Sequence, residues 1–320
     1  MNLLFFDIEC ASVYKTSAKI CAFGYVLCDE QFNIIEKEDI LINPKGKFHL
    51  TDSRGNRGIT LPYEYDKFKK CPVFPEVYPK IKALLEDKNN LVYGHATHND
   101  VKYLELETNR FHLPPLNFSF SDSQLMYMTA IGDFSRQFGL EYITAQLGVE
   151  FTPHRAADDA YATMRVTEAL CRKYSCNCQR LDELLEIKRG KVANHRITQP
   201  LSRKFTEYRD EVQRLKKERS ERRVTFYIHL SRCKKKKGGR LSGRVFNFSR
   251  LLEDDIAQSL PLVDRIYALG GRYTQKQSEC NVYVREDGDS SVRTKNAESN
   301  ENIEIISLEE LKGCLYDTTA

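Results

Sequence analysis

Two carboxylates stand at the end of a hydrophobic run near the start of the chain. The run LFFDIE spans residues 4–9 and carries Asp7 and Glu9 with one residue between them. In a β-strand, side chains two residues apart point to the same face, so both acids would face one way. Two carboxylates held close together repel, and one of them takes up a proton unless a cation lies between them. The alternative is a strand that ends at the surface with both acids in water.

Two further acids and a histidine lie at other junctions of the first half of the chain. The stretch GHATHND places Asp100 between a strand and a helix. The stretch HRAADDA carries His154 in a loop and Asp159 near the start of a helix. Open α/β sheets collect functional groups at the carboxyl ends of their strands, so we expect the four acids to converge there.

Four carboxylates in one pocket require cations. Two divalent hard ions, bridged by oxygen ligands, remove the repulsion. Two such ions about 4 Å apart form the arrangement used for in-line displacement at phosphorus. A nearby histidine can take the proton of the attacking water. The residues therefore indicate metal-dependent displacement at phosphorus.

The elements that must position these groups alternate between strand and helix patterns. Strands are expected at LLFFDIEC, ICAFGYVL, FNIIEKEDILI and NLVYGH, and helices at PEVYPKIKALLED, DVKYLELE, GLEYITAQLG and DDAYATMRVTEALCRKY. Strands first, followed by alternation of strand and helix, predict an α/β layered domain with a mixed sheet over residues 1–178.

The composition predicts a soluble, core-forming protein. The chain has 320 residues, enough for two domains, and 41% of them are hydrophobic. No apolar stretch approaches the roughly 20 residues of a bilayer span, and Asp7 falls where a signal peptide needs apolar residues. These observations predict a cytoplasmic location and no membrane partner. Ten cysteines at irregular spacing argue against structural disulfides.

Positive charge is concentrated in one part of the chain. Residues 188–240 contain 19 Lys and Arg against five Asp and Glu, a local charge of +14. The net charge of the whole chain is +4, so the remainder is near −10. Charged, helix-favouring stretches with few large apolar residues predict a basic helical linker over residues 179–238. The basic stretch indicates either a nucleic-acid partner or a solvated linker.

The acidic motifs together resemble those of the DEDDh (DnaQ-like) 3′–5′ exonucleases, the family that includes the proofreading subunit of bacterial DNA polymerase III. The resemblance covers roughly residues 1–175. Its three motifs are Asp-x-Glu, Gly-His followed five residues later by Asp, and His-x-x-x-x-Asp. They fall, in chain order, on Asp7 and Glu9, on Gly94, His95 and Asp100, and on His154 and Asp159.

This resemblance implies a ribonuclease H-like fold and two divalent metal ions, Mg²⁺ or Mn²⁺. It implies that the metal ligands are Asp7, Glu9, Asp100 and Asp159. It also implies release of nucleoside monophosphates from 3′ ends, with His154 as the general base.

The segment after the first motif contacts the terminal nucleotide in the family. Substrate contacts are therefore expected at Cys10, Ala11 and Ser12, where many relatives have Thr-Thr-Gly. His95 is grouped with these residues and is expected to be structural rather than catalytic. Asp122 is expected to cap a helix rather than to bind metal.

Residues 239–320 form a second, smaller α/β unit that resembles a BRCT domain. The resemblance is carried by GRVFNFS, IYALGGRYTQ, CNVYV and IEIISLEELKGCL, although the chain has no Trp. It implies a module that binds a protein partner or DNA ends. Ser249 and Arg293 match the phosphate-contacting positions, with Lys295 nearby and Arg250 in place of a usual Gly. The alternative is a protein-docking module without phosphate chemistry.

The predicted function is that of a metal-dependent 3′–5′ exonuclease in replication or repair, with single-stranded DNA 3′ ends as its partner. The BRCT resemblance favours DNA, by analogy of fold alone. Two alternatives stay open. One is an exoribonuclease with the same mechanism, and the other is a BRCT scaffold protein whose catalytic site has decayed.

Overall fold

The computed structural model describes residues 1–48, 61–234 and 236–316 of the chain. Two compact units make up the chain, Met1–Arg209 and Asp210–Ala320. Lys235, one of the four consecutive lysines of the basic stretch, lies outside the described residues.

The first unit is built on a mixed sheet of seven strands, with a separate two-stranded ribbon. The strands are β1 Asn2–Tyr14, β2 Ser17–Cys28, β3 Ile34–Leu41, β4 Asn90–Gly94, β5 Phe118–Asp122, β6 Ile187–Lys188, β7 Gly190–Ala193, β8 Arg196–Thr198 and β9 Leu201–Ser202. The large sheet has the order β3-β2-β1-β4-β5-β7-β8, and β6 pairs with β9. In the large sheet β4 is parallel to β1 and to β5, and the other pairs are antiparallel.

Helices cover both faces of this sheet. They are a 3₁₀ helix at Tyr65–Lys70, α1 Phe74–Glu86, α2 His98–Arg110, α3 Ser123–Ile131, α4 Leu140–Leu147, α5 Ala156–Tyr174 and α6 Cys178–Leu184. A long helix, α7 Arg203–Arg232, contains the boundary between the two units.

Strand β1 lies in the middle of the sheet because both of its faces are apolar. Leu4 and Phe6 pack in one core with residues of α1 and α2, whereas Leu3 and Phe5 pack in a second core with residues of α3 and α5. Since side chains alternate along a strand, Asp7 continues the row of Leu3 and Phe5. The predicted mixed sheet flanked by helices is therefore confirmed, and it places the first motif on the face that α5 covers.

Gly24 on β2 allows α5 to approach the sheet. It is the residue paired with Asp7 across the two strands. A Cβ atom at Gly24 would lie 2.0 Å from backbone atoms of Ala156 and Ala157 at the start of α5. Only a residue without a side chain fits this space, and its absence lets Asp159 come close to the strand that carries Asp7.

Four short strands, β6 to β9, lie within residues 187–202, where the sequence predicted part of a helical linker. Within this charged stretch, exposed and buried residues alternate as in a strand: Lys191 is exposed, and Val192 is buried in the core of the sheet. Gly190 permits a close approach, since a Cβ atom there would lie 2.7 Å from the ring of Phe120. These contacts are long-range and outweigh local helix propensity. The predicted division of the chain into three domains stays a prediction.

The second unit contains a four-stranded sheet in which all pairs are parallel. In chain order its elements are β10 Val245–Phe248, α8 Arg250–Asp254, α9 Ile256–Ala268, β11 Arg272–Tyr273, a 3₁₀ helix Gln277–Glu279, β12 Val282–Arg285, α10 Val292–Glu298, β13 Glu304–Ser307 and α11 Leu308–Tyr316. The strand order is β11-β10-β12-β13. Phe226 of α7 is buried in the core of this unit. Among the helices described in either unit, none is long and apolar enough to cross a bilayer.

The Gly24 contact predicts a cost for the smallest possible side chain. Gly24→Ala forces the start of α5 away from β2, so we expect the free energy of unfolding to fall by about 1–3 kcal/mol, the usual effect of overpacking. Denaturant unfolding measures this change. Gly139→Ala is the control, because a Cβ atom there meets no atom within 4 Å, and its effect is expected to stay within about 1 kcal/mol. A Gly24→Ala protein as stable as the control contradicts this account.

Candidate active site

Asp7 and Glu9 lie on the same face of β1, next to β2. Burial raises the pKa of Asp7 to about 7, and the charge of Asp39 contributes to this rise. The pKa of Glu9 is raised to about 9, chiefly by burial and then by the charges of Asp7 and Asp159. Both side chains are half-buried, so the two acids are not the solvated end of a surface strand.

Two more carboxylates reach the same region from helices. Asp100, in the first turn of α2, is buried, and its pKa lies well above the usual range because of burial and the charges of Asp7 and Glu9. Asp159, near the start of α5, is buried as well, and burial together with the charge of Asp7 raises its pKa to about 8. The structure thus brings together all four acids that the motifs singled out, here called the acidic cluster.

His154 lies beside the acidic cluster in an uncommon backbone conformation. Its φ of 63° is in the left-handed region, where few non-glycine residues occur. Its backbone N–H donates to Oδ2 of Asp159 at 3.0 Å. The ring is 40% exposed, and its Nε2 is 3.8 Å from Oε1 of Glu141. Ligand atoms of Glu9, His154 and Asp159 all lie within 4.8 Å of one another, so the imidazole is both close to the acids and open to solvent.

A cavity of about 410 Å³ adjoins the acidic cluster. Its walls combine four of the predicted site residues with residues of α4 and its neighbouring loops. The lining residues are Asp7, His95, Gly139, Leu140, Glu141, Tyr142, Phe151, Pro153, His154 and Asp159. Aromatic rings such as those of Tyr142 and Phe151 offer faces on which nucleic-acid bases stack. The α4 residues could not be identified from the sequence, because a short amphipathic helix carries no chemical signal of its own.

His95 has a partner for each ring nitrogen. Its Nδ1 is 2.8 Å from Oγ of Ser123, and its Nε2 is 3.2 Å from the carbonyl oxygen of Phe138. Burial lowers its pKa and so disfavours the protonated ring. This geometry suits a structural role with one edge exposed to the cavity.

The segment after Glu9 is turned by an irregularity in β1. Its pairing with β2 shifts register between Glu9 and Cys10 and again between Cys10 and Ser12, as at a β-bulge. The side chain of Cys10 packs against one core, and that of Ala11 is buried in another. The hydroxyl of Ser12 is buried without a hydrogen-bond partner in the described part of the chain. None of these three residues lines the cavity, so the substrate contacts expected at Cys10, Ala11 and Ser12 stay a prediction.

A hydrogen-bonded network that the sequence analysis did not single out holds the start of α5. The hydroxyl of Tyr63 donates to Oδ2 of Asp39 at 2.9 Å and accepts from the backbone N–H of Ala156 at 3.0 Å. Arg155 Nε donates to the same carboxylate oxygen at 3.2 Å. The sequence signal for Asp39 is weak, because it lies in the charged stretch IEKEDIL of an edge strand.

Two acids close to the motifs have other partners. Asp158 forms an ion pair with Lys37 at 2.6 Å. Asp122 caps α3, accepting from the backbone N–H groups of Gln124 and Leu125, so the predicted capping role is confirmed. Both carboxylates are therefore occupied by protein partners.

Comparison with protein families gives a match to the exonuclease family model RNase_T over residues 4–167. The chain belongs to this exonuclease family. The matched range contains the whole acidic cluster and His154. A comparison with curated proteins gives no match.

Several solved structures are similar to the chain. One, described as 3′-end specific recognition of histone mRNA stem-loop by 3′-exonuclease, has a TM-score of 0.46 and 13% identity, covering 63% of this chain and 71% of that chain. The nuclease domain of 3′hExo, a DEDDh family member bound to rAMP, has a TM-score of 0.43 and 17% identity, covering 54% and 91%. E. coli exonuclease I in complex with a dA16 oligonucleotide has a TM-score of 0.41 and 18% identity, covering 57% and 42%.

The raised pKa values predict how stability depends on pH when no metal is bound. The folded protein keeps protons on Asp7, Glu9 and Asp159 up to about pH 7–9, whereas the unfolded chain loses them near pH 4. The unfolded state therefore binds fewer protons in this window, and stability falls as pH rises from about 5 to 9. Each group contributes at most about 1.4 kcal/mol per pH unit.

Denaturant unfolding in the presence of a chelator, at several pH values across this window, measures the effect. Asp159→Asn is expected to flatten the dependence, because the amide does not titrate and relieves part of the repulsion. If the stability of the metal-free protein is constant or rises across the window, the pKa values of these acids are not raised in the folded state.

Proposed function

We propose that the chain is a metal-dependent 3′–5′ exonuclease that releases nucleoside monophosphates from the 3′ ends of DNA. The observation that carries this proposal is the acidic cluster beside His154 at the wall of a cavity. The coarser activity, that of an exonuclease, follows from the family to which the chain belongs. The direction of attack, the mechanism and the preference for DNA belong to the proposal.

Asp7, Glu9, Asp100 and Asp159 would hold two divalent ions, Mg²⁺ or Mn²⁺. The exonuclease family generally uses divalent metal ions. The residues fit such ions, because carboxylate oxygens are the ligands that hard cations prefer. Burial, and after it the charges of neighbouring acids, raise the pKa values of these carboxyl groups, and a bound cation would favour their charged forms. When bound, the ions activate water and stabilise charge on the phosphate oxygens.

His154 is proposed as the general base that accepts a proton from the attacking water. Its ring is accessible and lies beside Glu9 and Asp159. The hydrogen bond from its backbone to Asp159 fixes the loop that carries the imidazole. Glu141, close to Nε2, would stabilise the protonated ring after the transfer.

The terminal nucleotide is proposed to occupy the cavity next to the acidic cluster. The rings of Tyr142 and Phe151 would stack on its base, and His95 would limit the depth of the pocket. Contacts to the sugar are proposed for the segment formed by Cys10, Ala11 and Ser12, because it directly follows Glu9 on β1.

The second unit is proposed to be a BRCT-like docking module that links the enzyme to replication or repair. Its four-stranded parallel sheet with helices supports this proposal. A docking role without phosphate chemistry is favoured, because the two predicted phosphate-contacting residues have internal partners. The hydroxyl of buried Ser249 accepts from the N–H of Leu252 at 3.2 Å, and Arg293 pairs with Glu253 at 2.8 Å. The preference for DNA over RNA rests on this unit, by analogy of fold.

The basic stretch contributes less unpaired charge than its composition suggests. Arg214 pairs with two acids of α7, and Arg219 pairs with an acid of α8. Lys234, Lys236 and Lys237 follow α7 and are exposed. Contact with the phosphate backbone is proposed for these lysines, because exposed cations bind nucleic acid without a sequence requirement.

One assay tests the proposed function. The purified protein is given single-stranded DNA, duplex DNA and RNA of the same sequence, each labelled at the 3′ or the 5′ end, with Mg²⁺ or Mn²⁺. We expect labelled mononucleotides at once from 3′-labelled DNA and a descending ladder from 5′-labelled DNA.

Asp159→Asn is expected to keep less than about 1% of the rate, because metal and base contributions together exceed about 10². Asp158→Asn is the matched control, since this neighbouring acid pairs with Lys37, and its rate should fall by less than about tenfold. If mononucleotides are released faster from RNA than from DNA, RNA is the preferred substrate. Release of 5′ mononucleotides first, or no metal-dependent release at all, would overturn the proposal.

His154→Ala is expected to slow hydrolysis by roughly 10²–10⁴, the usual contribution of a positioned general base. The rate should also lose its decline at acidic pH, because no imidazole then has to be deprotonated. His112→Ala is the control, since His112 is exposed, has a φ of 51° and lies away from the cavity lining. Single-turnover rates across pH measure both effects, and an unchanged profile would assign the base to another residue.

A further inference from the structure

A second group of potential metal ligands lies in the unit Asp210–Ala320. It consists of His229 near the end of α7, Cys233 just after that helix, and Asp264 of α9. The ligand atoms of these three residues all lie within 4.8 Å of one another. His229 Nε2 is 2.7 Å from Asp264 Oδ1, and Cys233 Sγ is 3.7 Å from the same oxygen.

The backbone that presents the three side chains is fixed by the core of the unit. His229 and Cys233 are four residues apart, so they share one side of the helical turn. Phe226, on the preceding turn, is almost fully buried in the core, and Val263 beside Asp264 is buried in the same core. The backbone N–H of Lys236 donates to the carbonyl of Tyr267 at 3.3 Å, which ties the chain after Cys233 to the end of α9.

The separations are close to those of a tetrahedral site. Zinc binds sulfur at about 2.3 Å and nitrogen or oxygen at about 2.0–2.2 Å, so tetrahedral angles put nitrogen and oxygen about 3.3 Å apart and sulfur and oxygen about 3.5 Å apart. The observed 2.7 Å and 3.7 Å differ from these values by amounts that side-chain rotation can supply. Asp264 is mostly exposed, so a water molecule can reach the fourth position.

The ligand chemistry differs from that of the acidic cluster. Thiolate and imidazole favour zinc and similar borderline-soft ions, whereas carboxylates alone favour Mg²⁺ and Mn²⁺. Two of the three ligands are anionic when metal is bound, which balances a divalent charge despite the exposed lysines that follow Cys233. We propose that His229, Cys233 and Asp264 form a zinc site that joins the end of α7 to α9, with water as the fourth ligand.

Cobalt(II) substitution tests this site on the full-length protein. Excess Mg²⁺ is added first to occupy the acidic cluster, and Co²⁺ is then titrated while the thiolate-to-cobalt charge-transfer absorption is recorded. We expect this band to saturate at one equivalent per chain and to be lost when Zn²⁺ is added. An all-oxygen site cannot produce the band, so the result is independent of the exonuclease proposal.

Variants assign the ligands. Cys233→Ser should abolish the charge-transfer band, and His229→Gln or Asp264→Asn should weaken Co²⁺ binding by at least about tenfold. The controls are Cys314→Ser, an exposed cysteine of α11, and His195→Gln, a histidine that pairs with Glu105 at 2.8 Å without a cysteine beside it. Neither control should change the titration.

The fold of each variant is checked by circular dichroism, and Asp264→Asn changes a mostly exposed side chain. A wild-type protein with no saturable charge-transfer band would leave an ordinary His229–Asp264 ion pair and overturn the proposal. The proposal is also overturned if the band persists in Cys233→Ser, or if neither His229→Gln nor Asp264→Asn weakens Co²⁺ binding.

Discussion

The acidic cluster gathers carboxylates that repel one another, and the contact of α5 with β2 at Gly24 brings Asp159 to the acids of β1. Two unit charges 4 Å apart interact by about 4 kcal/mol at an effective dielectric constant of 20, while a whole domain is stable by only about 5–15 kcal/mol. Full ionisation without a counter-ion would therefore consume much of the net stability. The two apolar cores on either side of β1 hold the acids in place, and burial, together with nearby charges, raises their pKa values.

Much of this arrangement was predictable from the sequence because it depends on local patterns. The apolar run before Asp7 and the five-residue spacing from His154 to Asp159 can be read directly from the sequence. The strands within residues 187–202 were not predictable, because Gly190 and Val192 are fixed by pairing with a strand some 70 residues earlier in the chain. Composition alone indicated a charged helix there, and long-range contact decided otherwise.

The support of the active site was hidden for the same reason. Asp39, Tyr63 and Arg155 come from three separate parts of the chain and meet only in the folded unit. From the sequence alone, Asp39 would be taken for one of several exposed charges on an edge strand. In the structure it anchors the turn that leads into α5, so the residues that orient the site are less visible in the sequence than those that line it.

The left-handed backbone of His154 also bears on how such an enzyme could lose its activity. Asn and Gly adopt this conformation at least as readily as His. Either would preserve the turn and its amide contact with Asp159 while removing the imidazole. A single-nucleotide change from a His to an Asn codon would thus leave a folded chain with an intact set of acids and without the proposed proton acceptor. The backbone conformation alone would therefore place little constraint on that change, and its effect would fall on chemistry rather than on folding.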